Sequence, residues 1–280
     1  MIKNSCLEAI GLSQCEMIKE AGQKIVYKAI SDEFGTVIVK IVKPNQDLRR
    51  VLREIEIIKN IKALNTSKIF KNDSIDCEGT EYLYIIEEFI DGENLREYIN
   101  RVGSIHCGEV CEFLNSMLDE IYTLEKNNHV HRDIKPENIM RNTKGDFILI
   151  DYGIARDLSG TSYTATEAVN GPATCAYAPI EQIDNEKENI SSKVDLYSLS
   201  LVAYEMISGI NPFSEGCSTI SQVIRKVEQG KFDRLEDENF TEMLEFIHTN
   251  MNKHRTKRSA SAHDAREWFD DIYSNLHKGL

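Results

Sequence analysis

A chain of 280 residues with 41% hydrophobic, 28% charged and 8% aromatic side chains, 15 Gly and 5 Pro has the composition of a globular protein, large enough for one big core or two small ones. Its net charge of −13 disfavours nucleic acid and anionic membrane as main partners, because both need a basic footprint. Residues 1 to 90 are close to neutral and the excess acid lies in 91 to 280, which is compatible with a basic polypeptide substrate but reads first as an ordinary solvated surface. No apolar run reaches the ~18–20 residues that cross a bilayer. The opening MIKNSCLEAIGLSQCE lacks a continuous apolar stretch ending in small residues, so the cytoplasm is the expected compartment. Seven cysteines, an odd number with no CxxC, predict reduced thiols and no disulfide framework; Cys107 and Cys111 read as packing residues.

In chain order, Glu16 to Glu20, Ile25 to Ile30, Thr36 to Val42 and Tyr82 to Glu88 are rich in Val, Ile and Tyr and broken by Gly, Asp or Ser, the pattern of strands. Between them Leu48, Val51, Leu52, Ile55, Ile58 and Ile61 recur at helical spacing, predicting a helix over Asp47 to Ile61. After Asp91 helical periodicity takes over, with helices predicted at Leu95 to Asn100, Gly108 to Asn127, Ser192 to Ser208, Ile220 to Gln229, Phe240 to Asn250 and Ser261 to Leu276. Phe147 to Ile150 is a short apolar run. The Ser- and Thr-rich stretch that follows it up to residue 190 has weak periodicity, and loops of that length are usually functional.

The most specific segment is His131-Arg132-Asp133-Ile134-Lys135-Pro136-Glu137-Asn138. It resembles the catalytic loop of the eukaryotic-type serine/threonine protein kinases, and further elements of that family follow in order from about residue 17 to 270. The resemblance implies an α+β, bilobal protein-kinase-like fold: a small β-sheet N-lobe with one main helix over 1–87, a hinge over 88–92 and a larger, mostly helical C-lobe over 93–280, together a single kinase domain. It implies that Asp133 accepts the proton of the attacking hydroxyl and that Lys135, typical of the serine/threonine-specific class, offsets phosphoryl charge. Asn138 and Asp151, the latter in Asp151-Tyr152-Gly153, become the expected Mg²⁺ ligands, oxygen donors suited to a hard cation.

In the N-lobe Val37-Ile38-Val39-Lys40 resembles the strand whose lysine holds the α- and β-phosphates of ATP, with Glu54 as its favoured ion-pair partner and Glu56 as the fallback. The resemblance assigns nucleotide contact to Ala21, Gly22, Lys24 and Val26, to Ile38 and Lys40, and to Glu88, Ile90 and Asn94 around the hinge. Glu181 and Arg258 resemble a buried structural ion pair, Asp195 the aspartate that braces the catalytic loop, and Gly209-Ile-Asn-Pro-Phe213 the turn after its helix.

The family's glycine-rich loop falls on Lys19-Glu20-Ala21-Gly22-Gln23-Lys24-Ile25-Val26, where only Gly22 remains; Lys24 is expected to supply charge in place of backbone amides. Ile38 replaces the usual Ala. Glu87 occupies the normally apolar gatekeeper position and is expected to pair with a polar group or Lys. Ser159, Thr161, Ser162, Tyr163, Thr164 and Thr166 lie where an activation loop is phosphorylated, with Arg132 as the expected phosphate partner; Thr174 is read as a substrate-side contact and Cys175 as a buried thiol. These residues together predict an ATP- and Mg²⁺-dependent kinase of protein Ser/Thr hydroxyls with autophosphorylation, its oligomeric state open. A pseudokinase scaffold with weak nucleotide binding and a small-molecule phosphotransferase of kinase-like fold stand as the alternatives.

Overall fold

The computed structural model describes residues 2–21, 24–44, 48, 51–52, 55–56, 59, 61, 65–151 and 175–278. They form two compact units, one of the described residues in 1–60 and 67–91, the other of those in 61–66, 92–151 and 175–278.

The first unit is an antiparallel sheet of β1 (Leu12–Ala21), β2 (Lys24–Ser31), β3 (Gly35–Val42), β4 (Ile69–Cys77) and β5 (Thr80–Glu88), in the order β1-β2-β3-β5-β4. Period-two alternation builds one face: Ile25, Tyr27 and Ala29 of β2 and Val37, Val39 and Ile41 of β3 are buried together with Tyr84 and Ile86 of β5. The helix expected over Asp47 to Ile61 is described at 48, 51–52, 55–56 and 59, where Val51 and Ile55 are buried.

Strand β4 was not foreseen. Its sequence, IFKNDSIDC, carries Lys71, Asp73, Ser74 and Asp76 because it lies at the sheet edge, where polar residues are tolerated and protective. Glu78 and Gly79, both at positive φ, join it to β5 in a two-residue turn closed by Cys77 and Thr80.

A short helix, α1 (Asn4–Glu8), precedes the sheet and packs into it through Leu7, which is fully buried. Here the expectation of uniformly reduced thiols is corrected: Cys6 of α1 and Cys77 of β4 form a disulfide with their Cα atoms 5.8 Å apart. Counting cysteines cannot detect this, because the pairing comes from the packing of α1 against the end of β4, reinforced by the Lys3–Glu78 ion pair. Cys107, Cys111 and Cys175 are buried thiols outside any disulfide, as expected.

The second unit is helical around a three-stranded sheet, β6 (Gly92–Asn94), β7 (Ile139–Asn142) and β8 (Phe147–Leu149). Gly92 is required there, since a Cβ would meet the Arg141 carbonyl oxygen at 2.1 Å. Helix α2 (Leu95–Val102) starts on a capping box formed by Asn94 and Glu97. Helix α3 (Cys107–Lys126) buries Val110, Phe113, Leu114, Met117, Leu118, Ile121 and Leu124, the stripe that helical spacing predicts. After the short α4 (Ile180–Ile183), α5 (Ser192–Ser208) is covered on every side, and Asp195 lies within it. It ends at Gly209, whose left-handed φ of 78° is natural to glycine. Helices α6 (Ile220–Gln229), α7 (Thr241–Asn250) and α8 (Ala262–Lys278) complete the unit, close to their predicted spans. Among the described residues no helix is long and apolar enough to cross a membrane.

The disulfide closes a long stretch of chain, which restricts the unfolded state. Replacing Cys6 by Ser lowers the stability of the oxidised chain by roughly 2–4 kcal/mol, and reductant has the same effect on the wild type. Denaturant titration with and without reductant measures both; a wild type indifferent to reductant would contradict it.

Candidate active site

Asp133, the aspartate marked by the resemblance, lies in the loop between α3 and β7. Lys135 Nζ donates to its Oδ1 at 3.0 Å and its Oδ2 at 3.1 Å, and Asn138 Nδ2 donates to Oδ2 and to its main-chain oxygen, each at 2.9 Å. The carboxylate is partly buried, so it keeps a route to solvent while its rotamer is fixed. Pro136–Asn138 forms a 3₁₀ turn, for which proline supplies the fixed φ, and this turn brings Asn138 back onto Asp133.

The other end of the loop is held by Asp195. Its Oδ2 accepts from the His131 N–H and its Oδ1 from the Arg132 N–H, both at 2.7 Å. Arg132 has φ of 65°, costly for a residue with a Cβ. It is fixed by the Asp195 bond on one side and by Gln182 Nε2, which donates to its carbonyl at 2.9 Å, on the other. Burial pushes the Asp195 carboxyl up to about 6, against the two main-chain N–H bonds and the Arg132 charge that favour its ionised form.

Asp151 follows β8. The Ile150 N–H donates to the Asn138 carbonyl at 2.8 Å, so the two oxygen-bearing side chains expected to bind metal are carried by hydrogen-bonded segments of one unit. β8 is itself clamped by Asn65 and Thr66: the Leu149 N–H donates to the Asn65 carbonyl at 2.7 Å, and Thr66 Oγ1 donates to the Leu149 carbonyl at 3.1 Å.

A network around Arg96 had no signal in isolated motifs. Its guanidinium meets Glu137, inside the loop, at 2.9 Å and Glu205 of α5 at 2.6 Å, and it also bonds to Tyr177. Burial opposes its charge, but the Glu205 and Glu137 bonds outweigh that and hold its pKa above the ordinary value. Arg258 and Glu181 form the expected buried ion pair at 2.6 Å.

In the first unit the strand register gathers several nucleotide candidates. Across β2 and β3, Lys24 is opposite Val42, Val26 opposite Lys40 and Lys28 opposite Ile38; Ala21 is opposite Lys24 in β1. Directly opposed residues share a face, so Lys24, Val26, Ile38 and Lys40 lie on one side of the sheet. Glu88 pairs with Val37, and its N–H donates to the Lys68 carbonyl at 2.8 Å; Ile90 is buried just beyond β5. In the second unit, Asn94 uses its side-chain oxygen to cap α2, accepting from the Glu97 N–H at 2.9 Å.

Lys40 Nζ bonds Glu87 Oε2 at 2.7 Å, with both side chains buried. Glu87 thus has the lysine partner expected of it. Glu56 is exposed, and Glu54 lies outside the described residues. So do Gly22, Tyr152, Gly153 and the candidate phosphoacceptors from Ser159 to Thr166 with Thr174.

The family model for the protein kinase domain matches residues 20–269. This chain belongs to the protein kinase family. It is similar to the probable serine/threonine-protein kinase pknA2 of Bifidobacterium longum, at 31% identity over 70% of this chain and 26% of the relative. The serine/threonine-protein kinase PrkC of Bacillus subtilis is 30% identical over 69% and 29%, and the probable serine/threonine-protein kinase CPE1738 of Clostridium perfringens 28% identical over 78% and 31%. The chain therefore spans less than a third of the length of these relatives, and it holds a protein kinase domain.

The Asp195 shift has a definite sign. The folded chain binds this proton more tightly than the unfolded one, so ionised Asp195 costs stability above about pH 6, a cost that is absent below the ordinary carboxylate range near ~3.9. Relative to Asp195→Asn, the wild type loses roughly 2 kcal/mol of stability between about pH 4.5 and about pH 7.5. Urea unfolding of both chains at the two pH values measures the difference, and a constant difference would count against the shift.

Proposed function

We propose that this domain transfers the γ-phosphate of ATP, with Mg²⁺, to Ser/Thr hydroxyls of protein substrates. The observation that carries the proposal is the Asp133 carboxylate, held by Lys135 and Asn138 in a loop braced by Asp195. Phosphoryl transfer needs positioning and charge neutralisation more than covalent chemistry from the protein. Asp133 orients the acceptor hydroxyl and takes its proton. The Lys135 ammonium offsets charge on the moving phosphoryl group.

The donors fit magnesium. Asn138 uses Nδ2 for its bonds to Asp133, so its Oδ1 remains the acceptor end, and Asp151 adds a carboxylate; both are hard oxygen ligands. Bound there, the ion neutralises phosphate charge. Lys40 takes the α- and β-phosphates. Ala21, Gly22, Lys24, Val26, Ile38, Glu88 and Ile90 line the rest of the nucleotide, with Asn94 contributing through its main chain. Similarity to proteins named serine/threonine-protein kinases, together with Lys135, supports hydroxyl acceptors on protein. Autophosphorylation between Thr161 and Thr166 follows from the same reading, with Arg132 as the phosphate partner.

Incubation with γ-labelled MgATP and a basic generic protein tests the proposal. Label transfers to the substrate and to the segment 161–166, and Asp133→Asn reduces both rates by roughly 10²–10⁴-fold while nucleotide still binds. Transfer that survives the substitution, or label confined to a small-molecule acceptor, would overturn it.

A further inference from the structure

Glu87 is a buried carboxylate for which the proposed chemistry has no use. In the β3/β5 register Lys40 is opposite Ile85 and Ile38 opposite Glu87, so Glu87 lies diagonally across from Lys40 on the same sheet face. That face also presents Lys24, Val26 and Ile38. Lys40 Nζ and Glu87 Oε2 are 2.7 Å apart, and their side chains are only 6% and 5% exposed. At that exposure a charge is stable only when paired.

Resting on the nucleotide reading above, we propose that Glu87 is a positioning residue for Lys40. It holds the ammonium at the sheet face where the α- and β-phosphates bind. Because the contact is set by the register of two paired strands, it persists whatever other groups Lys40 meets. A carboxylate one strand away also restricts the lysine more than a mobile counter-ion would, since both backbones belong to the same hydrogen-bonded ladder. Two consequences distinguish this role from wall-lining. Loss of Glu87 must weaken binding of the phosphates and leave binding of the nucleoside alone, and the effect must vanish when Lys40 is absent.

The test compares ATP, ADP and adenosine affinities, by calorimetry on the full chain, for wild type, Glu87→Gln, Glu87→Asp, Lys40→Met and the double variant Lys40→Met with Glu87→Met. The expected result is a loss of about 10-fold or more in ATP and ADP affinity for Glu87→Gln, unchanged adenosine affinity, partial recovery in Glu87→Asp, and a double variant no worse than Lys40→Met. The double variant replaces the buried pair by apolar side chains, so it remains informative where Glu87→Gln fails to fold. Equal losses for adenosine and ATP, unaltered ATP affinity in Glu87→Gln, or additive losses in the double variant would overturn the role of Glu87 and leave the kinase reading standing. A wild type that binds no ATP would overturn both.

Discussion

The second unit depends on one buried charge. Asp195 sits in a helix enclosed on every side and presents its two carboxylate oxygens to two successive main-chain N–H groups. Ionised carboxylates bind main-chain donors with short, strong bonds, and both distances here are 2.7 Å. Those bonds hold His131 and Arg132 in a turn that the chain would otherwise resist, since Arg132 has positive φ. From that fixed point the 3₁₀ turn at Pro136 places Lys135 and Asn138 around Asp133, and the Ile150–Asn138 bond carries the constraint on to Asp151. Burial that raises the Asp195 pKa and hydrogen bonds that favour its charge therefore oppose each other at the residue from which the loop is built.

Three further ionic contacts, buried or partly buried, serve different ends. Arg258 and Glu181 satisfy each other, with the guanidinium also stacked over Tyr197 at 4.7 Å from the ring centroid, an arrangement that fixes packing. Arg96 is shared by Glu137 and Glu205, joining α2, the loop and α5 through a single fork-shaped donor. Lys40 and Glu87 are carried by adjacent strands of the first unit. For the fully buried Arg258–Glu181 pair the cost of removing one partner exceeds the net worth of the pair, so conservative and paired substitutions are more informative there than alanine.

What was legible in the sequence was what depends on local order. The spacing of Leu, Ile and Val gave the principal helices, and the contiguous run from His131 to Asn138 identified the loop, because its chemistry requires neighbours in sequence to be neighbours in space. Contacts made by distant packing were legible only where the resemblance carried them, as for Glu181 with Arg258 and for Asp195. Arg96 reaches Glu137 and Glu205 across long separations, and no spacing rule links them. Strand β4 escaped because an edge strand alternates weakly, and the Cys6–Cys77 bond because α1 is too short to show periodicity. Asn94 was placed near nucleotide by position, whereas its side chain starts a helix; Asn at the beginning of an apolar helical pattern, with Glu three residues on, was the available signal.

The polar side chains on the Lys40 face gain meaning from the same register. Antiparallel pairing gives one face of β2, β3 and β5 the residues Lys24, Val26, Ile38, Lys40, Ile85 and Glu87, while the opposite face carries Ile25, Tyr27, Val37, Val39 and Ile86 into the core. A slip of one residue between β3 and β5 would exchange those faces, driving Glu87 into the apolar core and taking it away from Lys40. The burial of Val39 and Ile86 therefore specifies the ion pair indirectly: hydrophobic packing on one side of the sheet selects which carboxylate meets the lysine on the other. A carboxylate at a normally apolar position is thus compatible with a stable sheet because the register that buries it also delivers its counter-charge.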